Sequence, residues 1–196
     1  THFHKMIGGE YKVTKEGEVL YIPSKGKSVK LTMVESSSAV RSLLDIGFYL
    51  KHIAQTGDLL IVDEPELNLH PENQRLVARL FAMLVNHGIK VFITTHSDYI
   101  IKELNTLILL NKQGDERLSA LAAREGYDSS ELLASHKLKV YIAKEALIQL
   151  KGKSRRTSCQ TLLQAKVDDV SGIVLASFDD TIEKMNRIQD EIIWGE

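Results

Sequence analysis

The chain has 196 residues, 43% hydrophobic and 26% charged, enough to bury one substantial core and a small appendage. Its 25 Lys and Arg against 26 Asp and Glu give a net charge of −1, which excludes a globally basic surface, so any binding of nucleic acid or anionic membrane must come from a local patch. A single cysteine, Cys159, excludes an internal disulfide and suits a reducing cytoplasm; no apolar run reaches the roughly 18 residues of a membrane span, and residues 1–5 do not read as a signal peptide, so a soluble cytoplasmic protein is expected.

His2 and His4 open the chain at a terminus expected to fray, which disfavours a shared metal. Strand-forming residues then run over Tyr11 to Thr14, Glu18 to Ile22 and Val29 to Val34, separated by Gly17 and by Pro23-Ser24-Lys25-Gly26-Lys27, which predicts a small antiparallel meander. Ser36, Ser37 and Ser38 supply N-cap chemistry for a helix carrying Val40, Leu43, Leu44, Gly47 and Phe48, expected to end near Thr56-Gly57.

Leu59-Leu60-Ile61-Val62 is an unbroken apolar run, the pattern of a strand covered on both faces, and it stops at Asp63-Glu64-Pro65. Pro71 opens a helix with Leu76, Val77, Leu80, Phe81, Leu84 and Val85 on its buried face and Gly88 to close it. A second covered strand, Val91 to Thr95, follows at once, and strand, helix and strand in that order predict a right-handed crossover of a parallel sheet. After His96-Ser97-Asp98 a short helix over Tyr99 to Leu104 leads to an apolar run from Leu107 to Leu110. Beyond Asn111 the pattern weakens: Leu138 to Ala143 has strand character, and Asp179 to Trp194 reads as an amphipathic closing helix with Ile182, Met185, Ile188, Ile192 and Ile193.

The strongest chemical signal is Leu59 to Glu64, which delivers two consecutive carboxylates at the C-terminal end of a buried strand, where parallel α/β sheets place ligands. In a nucleotide hydrolase the pair divides labour: Asp63 holds Mg²⁺, through a water, and Glu64 orients and polarises the water that attacks the γ-phosphate. The same hexamer is also compatible with an acidic, solvated strand-to-loop turn. The next strand ends in Thr94-Thr95-His96-Ser97, and neighbouring strand ends lie about 5 Å apart, so His96 is expected beside Asp63 and Glu64, able to donate a hydrogen bond to the γ-phosphate. His96-Ser97-Asp98 is not a hydrolase triad, because consecutive residues cannot converge on one point.

Glu35 to Leu110 resembles the ABC-type ATPases, within them the single-head branch of OLD-family and related AAA-named anti-phage ATPases, with SMC-like DNA-repair proteins as more distant relatives. Leu59 to Glu64 resembles the Walker B strand, Glu66 to Pro71 the D-loop segment and Thr95-His96-Ser97 the switch-histidine motif. The resemblance implies ATP and Mg²⁺ as ligands, and places Asn68, Leu69 and His70 at an interface between two heads, reporting the state of one site to the other. Glu35-Ser36-Ser37-Ser38-Ala39 stands where the ABC signature stands, without its two glycines. A serine hydroxyl and free amides at a helix start still form an anion site for the γ-phosphate on a partner subunit; the same serines also serve as a plain N-cap.

A phosphate-binding loop, Gly-x-x-x-x-Gly-Lys-Ser/Thr between a strand and a helix, is not found. Gly26-Lys27-Ser28 has Tyr21 at the first glycine position and leads into strand-like residues; Gly152-Lys153-Ser154 has Leu147 there and follows a segment of helical character. The N-terminal half with the Walker A loop is therefore expected elsewhere, in the same protein or another chain, and this polypeptide alone is expected to bind ATP poorly and to be inactive. Lys151, Lys153, Arg155 and Arg156 form a basic cluster without interleaved aromatics, better read as a solvated loop than as a nucleic-acid surface. Asp168-Asp169 and Asp179-Asp180 lack the Asp-x-Asp spacing of a Toprim-type nuclease.

The expected architecture is α/β: a partial RecA-like ABC ATPase head with a parallel sheet core, a small N-terminal β meander and a mixed α/β C-terminal extension, divided as residues 1–112 and 113–196. The leading function is an ATPase module whose heads form a homodimer driven by ATP and gate an effector, a nuclease or toxin, in anti-phage defence or DNA metabolism. The alternatives are a protein- or DNA-docking module, with the strand near Leu138 to Ala143 and the last helix as its surface, and part of an SMC-like DNA-repair ATPase. No membrane partner is expected.

Overall fold

The computed structural model describes residues 2–25, 28–112, 114–149, 152, 155–174 and 176–195, and side chains are described throughout those ranges except for residues 2 and 176–183. Two compact units divide the chain, Thr1–Leu133 and Ala134–Glu196. The expected boundary at 112 followed the sequence motifs; the first compact unit continues to Leu133.

The first unit opens with a short helix, α1 (His2–Ile7), where a frayed terminus was expected. Burial of Met6 and Ile7 fastens it: both enter the same core as Val77, Leu80 and Phe81. The meander forms as β1 (Gly9–Val13), β2 (Val19–Pro23) and β3 (Leu31–Thr32), antiparallel, with Tyr11 opposite Tyr21 and Tyr21 opposite Leu31. The third strand is far shorter than Val29 to Val34. Glu35 folds its carboxylate back onto the Thr32 amide and hydroxyl, each at 2.9 Å, and this local turn competes with the ladder. Val29 and Val34 remain exposed and gain nothing from extension.

Ser37 caps α2 (Ser38–Ser42) by accepting the Val40 N–H at 3.3 Å. The expected single helix is two: α2 ends at the buried Leu43, and α3 (Leu44–His52) continues from there. It stops short of Thr56-Gly57 because Asp58 captures the preceding turn, accepting from the Gln55 amide at 2.9 Å and the Tyr49 hydroxyl at 3.0 Å.

Then β4 (Leu59–Asp63), α4 (Pro71–Asn86) and β5 (Lys90–Thr94) form the predicted crossover, with β4 and β5 parallel. Pro71 occupies the first turn of α4, and Gly88, at φ 82°, follows its C-terminus. Leu60, Val62, Val91 and Ile93 pack onto the core that α4 covers. The opposite face corrects the expectation of strands covered on both sides: Leu59, Ile61 and Phe92 lie exposed, Ile61 at 65%. Continuous apolar composition records what a strand can bury; it does not itself supply the layer that covers the strand.

Helix α5 (Asp98–Leu109) is continuous where a short helix and a separate apolar run were expected. Ile100, Leu104, Leu107 and Ile108 keep one helical stripe buried, and α5 packs along α4, which outweighs the modest cost of Asn105 and Thr106. Helix α6 (Glu116–Arg124) and a 3₁₀ turn at Ser129–Glu131 complete the unit, with the turn against α4.

The second unit contains a 3₁₀ turn (Ser135–Lys137), the antiparallel hairpin β6 (Tyr141–Ile148) and β7 (Thr157–Gln164), a smaller hairpin of β8 (Lys166–Asp168) and β9 (Gly172–Val174), and α7 (Ala176–Trp194). The strand expected at Leu138 to Ala143 starts later and runs farther, and its partner β7 was not foreseen. The described residues before Gly152 belong to β6, a strand rather than a helix, and those after it lead into β7, so among the described residues no helix stands where a phosphate loop requires one. Of the two Gly-Lys-Ser look-alikes, Gly26, Lys27, Lys153 and Ser154 lie outside the described residues, as does Lys151 of the basic cluster. Among the described residues, no helix is long and apolar enough to cross a membrane.

Candidate active site

Parallel pairing sets the site. Asp63 stands opposite Thr94 in register, and the two side chains meet: the Thr94 hydroxyl donates to Asp63 Oδ1. The chain then turns away at Glu64, whose N–H donates to the Thr94 carbonyl at 3.1 Å and also lies 3.2 Å from the Thr94 hydroxyl. Two residues later the second strand end presents His96, whose Nε2 is 3.6 Å from Glu64 Oε1. The His96 side chain is 90% exposed and that of Glu64 36%, so both face open solvent at one sheet edge.

Glu64 and Asn68 are the non-glycine residues with positive φ among those described, at 46° and 63°. Asn tolerates this region, but Glu pays about 1 kcal/mol for it, a cost that surrounding structure has to hold in place. Strain of this kind collects where a side chain must be aimed. The loop between them is closed by Leu67 N–H to the Glu64 carbonyl at 3.1 Å and Leu69 N–H to the Glu66 carbonyl at 3.0 Å.

The remaining predicted residues fall into a second group. Asn68 Nδ2 donates to Ser42 Oγ at 3.2 Å, and Ser42 in turn donates to the Ser38 carbonyl at 3.0 Å, which brings the D-loop-like segment against the serine segment of the same chain. His70 caps α4, its Nδ1 accepting the Glu72 N–H at 3.3 Å. The serines differ among themselves. Ser36 is buried and donates its hydroxyl to the Thr32 carbonyl at 2.8 Å; Ser37 is committed to the cap; Ser38 stays exposed. With only five residues in α2, the helix dipole behind them is short.

Three residues to which the sequence assigns no individual role hold the site together. Thr94 joins the two strand ends. Glu66 accepts the His96 backbone N–H at 2.6 Å. Gln74 takes the Ser97 hydroxyl at 2.5 Å and donates to the Leu69 carbonyl at 2.9 Å, while Ser97 caps α5 through the Ile100 N–H. Nothing in their spacing marks them, since each acts through a contact 23 to 31 positions away.

A strained carboxylate, a second carboxylate and an imidazole at adjacent parallel strand ends are equipment for activating water beside an anionic substrate. The sequence between residues 3 and 101, half of the chain, matches the AAA ATPase domain family. The chain belongs to that family. Every predicted site residue lies inside the matched span of this AAA ATPase domain. A solved structure described as "Structural biochemistry of ATP-driven dimerization and DNA stimulated activation of SMC ATPases" resembles it with a TM-score of 0.48 at 12% identity, covering 96% of this chain and 86% of that one. No curated protein matches the sequence.

As an AAA ATPase domain the chain is an ATP-binding module, and its acids suit the metal that accompanies ATP. Among the described residues no three His, Cys, Asp or Glu side chains converge as an all-protein metal cage. Mg²⁺ needs none, being held by one or two carboxylates with substrate phosphates and waters, and Asp63 at the strand end fits that donor set.

Proposed function

We propose that this chain supplies the hydrolytic half of an ABC-type ATP site. Glu64 orients and polarises the attacking water, Asp63 holds Mg²⁺ through a water, and His96 donates to the γ-phosphate. The observation that carries this reading is the meeting of Glu64 and His96 at 3.6 Å across two strand ends locked in register by Asp63 and Thr94. The bare apolar face of Leu59, Ile61 and Phe92 favours a covering half that brings the Walker A loop, in the same protein or another chain.

In this reading Asn68 and His70 face a second head, and the exposed Ser38 with the cap at Ser37 meets the γ-phosphate held there; Ser36 supports the segment from beneath. Head dimerisation would gate an effector, a nuclease or toxin, in anti-phage defence or DNA metabolism, as the family resemblance implies, in a reducing cytoplasm that suits the lone Cys159. The alternative, a docking module, draws on the second unit, where Met185, Ile192 and Trp194 of α7 are exposed.

The deciding experiment is turnover by the assembled ATPase, this chain with its Walker A half. Glu64→Gln is expected to abolish hydrolysis and leave ATP binding intact. Normal turnover in that variant removes the assignment.

A further inference from the structure

We propose that Glu66 is a positioning residue that sets the backbone at His96 from within the loop carrying Asn68, so that the conformation of this loop is transmitted to the imidazole. The inference rests on the ATPase reading above and adds a part to it.

The His96 ring is almost wholly exposed, with Glu64 as its ion-pair partner among the described residues, so its aim depends on its backbone. On one side of it Thr94 is fixed by strand register; on the other Ser97 is fixed by Gln74 and by capping α5. Between those anchors, the N–H of His96 itself is held by Glu66 Oε1 at 2.6 Å, a short, charge-assisted bond. The Glu66 backbone belongs to the opposite strand's loop: its carbonyl accepts the Leu69 N–H and closes the turn that puts Asn68 at φ 63° against Ser42. A shift of that turn moves Glu66, and Glu66 moves His96.

Glu66 Oε2 is shielded from solvent and has no hydrogen-bond partner among the described residues. A shielded carboxylate oxygen without a partner costs stability, so the favourable contact of this side chain is the one its first oxygen makes to the His96 amide. Gln preserves an acceptor at that place, whereas Ala removes it.

The test is a mutant cycle on the assembled ATPase with Glu66→Ala, Glu66→Gln, His96→Ala and the double alanine variant, alongside Glu64→Gln. Glu66→Ala is expected to lower kcat roughly 10-fold to 100-fold, the scale of a misplaced catalytic group, with the KM for ATP little changed. Glu66→Gln should retain most of the activity. In the His96→Ala background, Glu66→Ala should add no further loss, because groups acting as a unit are not additive. Should Glu66→Ala not fold, Glu66→Asp, too short to reach the His96 amide, takes its place in the cycle. Unchanged kcat in Glu66→Ala, or in Glu66→Asp where that takes its place, or a double variant as slow as the product of the two single losses, overturns the inference while a dead Glu64→Gln leaves the ATPase reading standing. Normal turnover in Glu64→Gln overturns the ATPase reading and this inference together.

Discussion

The most demanding stability test lies behind the site, where α4 and α5 are joined by buried charge. Glu103, 3% exposed, accepts from Arg79 Nε at 2.6 Å and from Arg75 Nε at 2.7 Å. Arg79 is buried as well; it donates to the Gly126 carbonyl, stacks 3.8 Å over the Tyr127 ring and lies 3.7 Å from Glu131. Glu103 also holds the Arg75 guanidinium above the ordinary arginine range. Glu103→Ala deprives two guanidiniums of their shared acid. Removing one partner of a buried pair costs about 3 to 5 kcal/mol. Here Arg79 keeps Glu131 and the Tyr127 face, and Arg75 keeps Glu72 and some solvent, so the lower end, about 3 kcal/mol, is expected. Urea denaturation of the chain followed by far-UV circular dichroism measures it. The exposed partner Glu72→Ala should cost no more than about 1 kcal/mol. A Glu103→Ala loss below about 1 kcal/mol would refute the claim that this acid neutralises the buried arginines.

Other outcomes follow from local geometry. Glu64→Gly, relieving φ 46°, should be as stable as wild type or up to about 1 kcal/mol more so, whereas Glu64→Val should lose about 1 to 2 kcal/mol in the same unfolding assay. A Cβ at Gly47 would sit 2.7 Å from the Phe3 ring and 2.9 Å from that of Tyr11, so Gly47→Ala is expected to lower stability by about 1 to 3 kcal/mol; an unchanged melting temperature counts against that tight packing. In the second unit, Lys166 and the Ser171 and Val170 amides hold Asp168 down to about 2 from its ordinary 3.8. Because the folded value is depressed, this contribution is present above about pH 4 and is lost as pH falls toward 2. Carbon-detected NMR titration should find that midpoint, and Lys166→Ala should raise it; a midpoint at 3.8 in the parent chain contradicts the contact.

Composition and short-range pattern were sufficient for the parts whose physics is local. Four apolar residues ending in Asp63-Glu64, a Pro71-to-Gly88 helix and a second apolar strand describe a β-α-β crossover, and the observed register then brings His96 to Glu64. What the pattern misjudged depended on competition: Glu35 against the extension of β3, Asp58 against the end of α3, and packing on α4 against the Asn105-Thr106 interruption. Tertiary structure alone decided which face of β4 and β5 is bare, that Ser36 turns inward, and that Glu66, Thr94 and Gln74 bind the two loops together. Periodicity reports the direction of a side chain from its own backbone. It carries no record of which atom, some thirty residues away, completes the bond, and in this ATPase domain those distant bonds orient the groups that chain order brings near one another.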